Sequence, residues 1–146
     1  MTDPHLDLDA FVPFQLSVTA NAVSDVIARA YRSLFGLRIP EWRLVAILAQ
    51  SPGLTPQEAG VRARLDKITV SRAAKALLAR ELIVARGNAR DRRSHRLELT
   101  ATGHELYRAV VPAALALEAR MLGGLSAAEV GELGRLLARV RAAADA

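Results

Sequence analysis

The stretch that decides the reading is Thr55-Pro56-Gln57-Glu58, followed by Asp66-Lys67-Ile68-Thr69-Val70-Ser71-Arg72 and then Ala73 to Arg80. Thr followed three residues later by Glu, with Pro between them at the first helical position, is a capping box in which Thr accepts from the backbone at N3 and Glu reaches back. It predicts a short helix to about Arg62. Asp66 is a second N-cap type and predicts a helix over 67–80. Two short helices joined by a tight turn at Ala63 to Leu65 make a helix-turn-helix, which places its second helix in a DNA major groove.

At about 100° per residue, Val70, Ala73, Ala74, Leu77 and Leu78 share one side of that second helix and belong to a core. Ile68, Thr69, Arg72, Lys75, Ala76 and Ala79 fall on the other side, with Ser71 between. Lys67, Ile68, Thr69, Ser71, Arg72 and Lys75 are therefore the candidate groove readers. The set holds a guanidinium, ammonium groups, hydroxyls and one uncovered aliphatic, groups that suit guanine edges, phosphates and thymine methyls.

Working outward, residues 82–86 and 95–99 alternate as the strands of a hairpin, and Gly87 to Ser94 read as its turn. A turn uses Gly, Asn and Asp but has no need of Arg90, Arg92 and Arg93 beside Asp91. Arginines on a projecting hairpin suit the negative potential of a narrow minor groove. Arg86, Arg90, Asp91, Arg92 and Arg93 are the candidate wing contacts.

The remaining chain is helical. Leu16, Ala20, Val23, Ile27 and Tyr31 recur at helical spacing between Pro13 and Phe35, with Gly36 as a stop. A helix over 40–50 ends at Ser51-Pro52-Gly53. Thr100 opens a long helix to about Met121, which Pro112 should kink or whose hydrogen bonds it should shift. Ser126-Ala127-Ala128-Glu129 is a capping box for a last helix to about Ala143. The expected fold is mainly α with a small β-hairpin wing: one chain, 1–146, with a winged helix-turn-helix lobe over 38–100 and further helices over 5–36 and 101–146.

Charge agrees with this. The 146 residues carry a net charge of +5, unevenly spread. Residues 62–96 hold eleven Lys and Arg against three acids, or +8, and the rest holds nine basic against twelve acidic residues, or −3. A basic middle third attracts a polyanion to one face. No apolar run reaches the roughly eighteen residues of a membrane span. No signal peptide is evident, so a cytoplasmic location without membrane partners is expected. The absence of Cys excludes disulfides, thiolate metal sites and thiol redox switching. His5, His95 and His104 lack metal-ligand spacing, and no nucleophile-elbow, phosphate-loop or dinucleotide motif is present, so neither enzyme activity nor a cofactor or metal is expected.

These residues resemble the MarR family of winged-helix regulators. The likeness is carried by Asp66 to Arg72, by Leu77-Leu78-Ala79-Arg80-Glu81-Leu82-Ile83, and by the wing Asp91-Arg92-Arg93-Ser94-His95-Arg96-Leu97-Glu98-Leu99-Thr100. The wing fits the family's Asp, any residue, Arg, five residues, Leu-Thr, and closes with Ala101-Thr102-Gly103. Ile39-Pro40-Glu41-Trp42-Arg43 looks like the family's second helix. Gly60 departs from the pattern, since a better helix former is usual there.

The resemblance implies a homodimer interlocked through the 5–36 and 101–146 helices, on a palindromic double-stranded operator. It implies that Arg93 enters the minor groove with Asp91 as its partner, and that a small aromatic carboxylate or thioester releases a repressor from DNA. The family's usual pocket points to Phe11, Phe14, Trp42 and Arg43 as ligand candidates, with His5 nearby and Arg43 as partner for a carboxylate. A winged-helix module that docks a protein and no longer binds DNA is the alternative reading.

Overall fold

Gly36 stops the first long helix because it takes a left-handed conformation, φ 63°, that side chains resist. The computed structural model describes residues 3–88 and 91–146, with Asn88 and 91–94 described in their backbone only. Among these, a single 3-10 turn at Leu8–Ala10 precedes six α-helices and two strands. They are α1 Val12–Phe35, α2 Ile39–Gln50, α3 Pro56–Ala63, α4 Lys67–Ala79, β1 Ile83–Asn88, β2 Asp91–Leu99, α5 Ala101–Met121 and α6 Ala127–Asp145. The architecture is the mainly α fold with a β-hairpin expected above. α5 runs unbroken through Pro112. The chain divides into two units, 1–112 and 113–146.

In the first unit, α2, α3, α4 and the hairpin share one core. Leu44, Val45 and Leu48 of α2, Leu77 of α4, and Ile83 of β1 are almost wholly buried. Each such side chain stabilises the fold by about 1.5–3 kcal/mol relative to exposure. Gly60 finds its reason here. A Cβ on it would lie 2.7 Å from Val70 Cγ2 and 3.3 Å from the Leu65 carbonyl oxygen. The helix propensity lost at Gly60 lets α3 and α4 cross closely. The turn between them runs through Arg64 at φ 59°.

The hairpin differs from expectation. β1 and β2 pair antiparallel from Ile83↔Leu99 to Gly87↔His95, and the register shifts to Asn88↔Asp91. Residues expected to form an eight-residue turn thus extend the strands. Gly87, Asn88 and Asp91 to Ser94 carry no apolar alternation, so no strand signal can be read there. Leu54 adds an isolated bridge to Leu97. The two backbones exchange bonds there, Leu97 N–H to Leu54 O at 2.8 Å and Gly53 N–H to Leu97 O at 3.1 Å.

The second unit holds the end of α5 and α6. Ser126 Oγ accepts from Glu129 N–H at 3.1 Å, and the Glu129 carboxylate accepts from Ser126 N–H at 2.8 Å. The capping box is complete, and the Ser126 N–H holds the Glu129 carboxyl below its ordinary pKa. Arg135 pairs with Glu132 one turn along. No residue of α6 is buried, and Leu133, Leu136, Leu137 and Val140 form an exposed stripe along it.

Candidate nucleic-acid interface

The second helix of the motif is held at its start by Asp66. Its Oδ1 accepts from Thr69 N–H at 2.8 Å and its Oδ2 from the Thr69 hydroxyl at 2.9 Å. The backbone N–H first, and the hydroxyl after it, hold the Asp66 carboxyl below the ordinary value. Thr55 caps α3 by accepting from Glu58 N–H at 3.2 Å. Both N-caps are formed, but at Thr55 only the Thr half of the expected capping box is made.

Val70, Ala73, Ala74 and Leu77 of α4 face the core as expected, whereas Leu78 is 37% exposed. Its angular position lies at the edge of the buried stripe. On the opposite side Ile68, Arg72 and Lys75 are exposed, as are Lys67 and Ser71 at the flank, and Ile68 keeps 65% of its surface open. Thr69 is half-buried rather than exposed, because the cap draws its hydroxyl back to Asp66. Its proton is committed there, so toward a base Thr69 offers only an acceptor and a methyl group.

Several basic residues that look alike in the sequence have structural partners. Arg80 donates to the carbonyl oxygens of Phe35 and Gly36 at 3.1 and 3.2 Å, tying the end of α4 to the end of α1. Such carbonyls lack helix partners and carry the negative end of the helix dipole. Arg96 donates to Gly53 O at 3.0 Å, supporting the bridge at Leu54. Arg62 bonds the Ser51 hydroxyl. Arg86, a candidate wing contact, forms a 2.6 Å ion pair with Glu98 on the neighbouring strand. Of the other wing candidates, Arg90 lies outside the described residues, as do the side chains of Asp91, Arg92 and Arg93.

The close of the wing is built by Thr100. Its hydroxyl donates to Glu81 O at 2.7 Å and accepts from Gly103 N–H at 3.0 Å, while its own N–H donates to Leu82 O at 3.0 Å. One residue thereby caps α5 and locks it to the root of β1. Glu81 supplies the bend, at φ 58°. Leu99-Thr100 and Gly103 stand out in the sequence as a motif, but the bonds that explain it join residues on different elements.

Of the ligand candidates, Trp42 is the one with ring contacts. Trp42 stacks on Tyr107 with ring centroids 5.8 Å apart and meets Tyr31 edge-on at 5.7 Å. Burial pushes the Tyr31 hydroxyl pKa up. Phe11 and Arg43 are exposed and Phe14 is half-buried, and neither Phe takes part in the ring contacts of Trp42. A cavity of about 700 Å³ lies between the end of α1, the start of α2 and one side of α4. Among the described residues no group of acidic, His or Cys side chains is arranged to hold a metal ion, and no helix is long and apolar enough to cross a membrane.

Residues 35–94 match the model of the MarR family. None of the curated proteins matches significantly. Among solved structures, a MarR/EmrR family transcriptional regulator from Acinetobacter sp. ADP1 is 29% identical with a TM-score of 0.86, the likeness covering 96% of this chain and 99% of that one. The Streptomyces coelicolor PcaV transcriptional regulator, solved in complex with its natural ligand, is 22% identical with a TM-score of 0.82 over 97% of this chain and 99% of its own. Bordetella bronchiseptica BpsR, whose DNA binding is regulated by 6-hydroxynicotinic acid, is 21% identical with a TM-score of 0.87 over 95% and 98%.

Proposed function

From a chain that carries the MarR-family winged helix and has the fold of MarR transcriptional regulators, we propose a sequence-specific DNA-binding regulator. The observation that carries this reading is the two-sided character of α4. One side is locked in the core, and the other presents Lys67, Ile68, Ser71, Arg72 and Lys75 to solvent on a capped, rigid helix. Arg72 reads a base edge, Lys67 and Lys75 take phosphates, and Ile68 meets a thymine methyl. Arg90, Arg92 and Arg93 of the wing reach the adjacent minor groove, with Asp91 orienting Arg93.

The regulator acts as a homodimer on a palindromic operator. The stripe Leu133, Leu136, Leu137 and Val140 supports this, because it leaves an apolar side of the 19-residue α6 exposed. A second copy supplies the missing cover, with the helices over 5–36 and 101–146 as the interface and 38–100 as the DNA lobe. The half-sites then lie about one helical turn apart, roughly 34–36 Å.

Release by a small aromatic carboxylate is the regulatory part of the proposal. It draws on the 6-hydroxynicotinic acid that regulates BpsR and on the aromatic group Tyr31, Trp42 and Tyr107, with Arg43 exposed beside it in sequence. The protein is a repressor in this reading.

The test is a binding titration with duplex from the gene's own upstream region against scrambled duplex, at several salt concentrations. Preferential, salt-dependent binding is expected. Absence of duplex binding, with an apolar protein partner captured instead, is the result expected of an interaction module.

A further inference from the structure

The cavity of about 700 Å³ beside α4 holds four arginines, Arg32, Arg38, Arg72 and Arg80, and one carboxylate, Glu41. Glu41 is 9% exposed, and its Oε1 accepts the Arg38 backbone N–H at 3.2 Å, so it is turned toward the start of α2. The Arg80 fork is spent on Phe35 and Gly36. Arg32, Arg38 and Arg72 are exposed and form no salt bridge among the described residues. Three uncompensated guanidinium groups therefore surround one trough. Concentrated positive charge costs self-repulsion, and the one carboxylate in the lining, Glu41, offsets only part of it.

We infer that this trough is a seat for the DNA sugar-phosphate backbone, flanking the major groove that α4 occupies. The inference rests on the duplex-binding reading above. Thr69, Arg72, Ala76 and Arg80 follow one another along a single side of α4. An occupant of the trough therefore lies along the flank of the helix, where the strand bordering a groove runs. The trough is open, and its apolar lining is limited to Leu37, Pro40 and Ala76. Small-molecule pockets are enclosed and mostly apolar. Flexible arginine arms on an open polar trough suit a polyanion. Arg38 and Arg32, outside the helix-turn-helix itself, thus join the DNA contacts, and Arg80 becomes a positioning residue that fixes the trough's far wall.

The experiment uses the full chain and a fluorescent mixed-sequence duplex of about 25 base pairs, so no operator is needed, because non-specific binding comes from phosphate contacts. Arg38→Ala, Arg32→Ala and, as a charge-matched control that does not line the trough, Arg139→Ala are compared with wild type. Removing one arginine–phosphate interaction should lower the salt slope by about 0.9, so the wild-type advantage shrinks about 3.5-fold between 50 and 200 mM salt. Arg139→Ala should keep the wild-type slope, and all melting temperatures should stay unchanged. Equal slope loss in Arg139→Ala overturns the inference in favour of net charge. Unchanged slopes in Arg38→Ala and Arg32→Ala overturn it while leaving duplex binding intact, whereas a wild type that binds no duplex overturns the function proposed above as well. Inorganic phosphate, titrated at constant ionic strength, is the remaining arm: competition with duplex that Arg38→Ala abolishes would make the trough a free-anion site and overturn the backbone seat.

Discussion

Gly103 lies so close beneath Leu82 that a Cβ on it would sit 2.0 Å from the Leu82 carbonyl oxygen. That oxygen already accepts from Thr100 N–H at 3.0 Å, so it is not free to swing away. The start of α5 is thereby pressed against the root of the hairpin, and the wing's orientation depends on a missing side chain.

Gly103→Ala should therefore destabilise the fold by about 1–3 kcal/mol, the ordinary cost of overpacking, in spite of alanine's better helix propensity. Gly131→Ala is the contrast, since nothing lies within 4 Å of a Cβ there. It should stabilise by about 0.5–1 kcal/mol. Urea midpoints of both variants check the pair. A neutral Gly103→Ala would refute the close packing.

The Asp66 cap makes a pH prediction. Its folded pKa is depressed below the ordinary 3.8, so its contribution is complete above that value and is lost as pH falls through the lower folded value. Asp66→Ala should lower the urea midpoint at pH 7, and the gap to wild type should narrow toward pH 3. Asp66→Asn, which still accepts from Thr69 N–H, should lose less at pH 7. A gap of equal size at both pH values would argue against the charged cap.

Arg80→Ala removes both hydrogen bonds to the end of α1. A loss of stability on the order of 1 kcal/mol is expected. Arg80→Lys should recover only part of it, because an ammonium lacks the fork that reaches two carbonyls. Thermal melts of the two variants separate these outcomes. Full recovery by Lys would show that charge, not geometry, is what the site uses.

How far the sequence announced these features depends on how local they are. The Asp66, Thr55 and Ser126 caps and the Gly36 stop rest on neighbours within one turn, and all were legible. Gly60 and Gly103 were not, because the atoms that exclude a side chain come from Val70 and Leu82 on other elements. The Leu54–Leu97 bridge is equally remote in sequence. The basic cluster was legible as charge but not as roles. Arg62, Arg80, Arg86 and Arg96 count toward the +8 of residues 62–96, yet each holds a partner inside the protein. Composition reports a charge without saying which oxygen it meets. The candidate reading face of α4 was almost wholly visible, since a helix's sides follow from its period. Thr69 escaped because its hydroxyl belongs to the cap.

The central claim is that α4 reads DNA sequence, and Arg72 tests it most directly. Operator and scrambled duplexes would be titrated with wild type and with Arg72→Ala at fixed salt. The account predicts that Arg72→Ala loses about 1–3 kcal/mol per half-site on the operator and relaxes preference at one base position there, with a much smaller loss on scrambled duplex. An equal loss on both duplexes, leaving the specificity ratio unchanged, would contradict it.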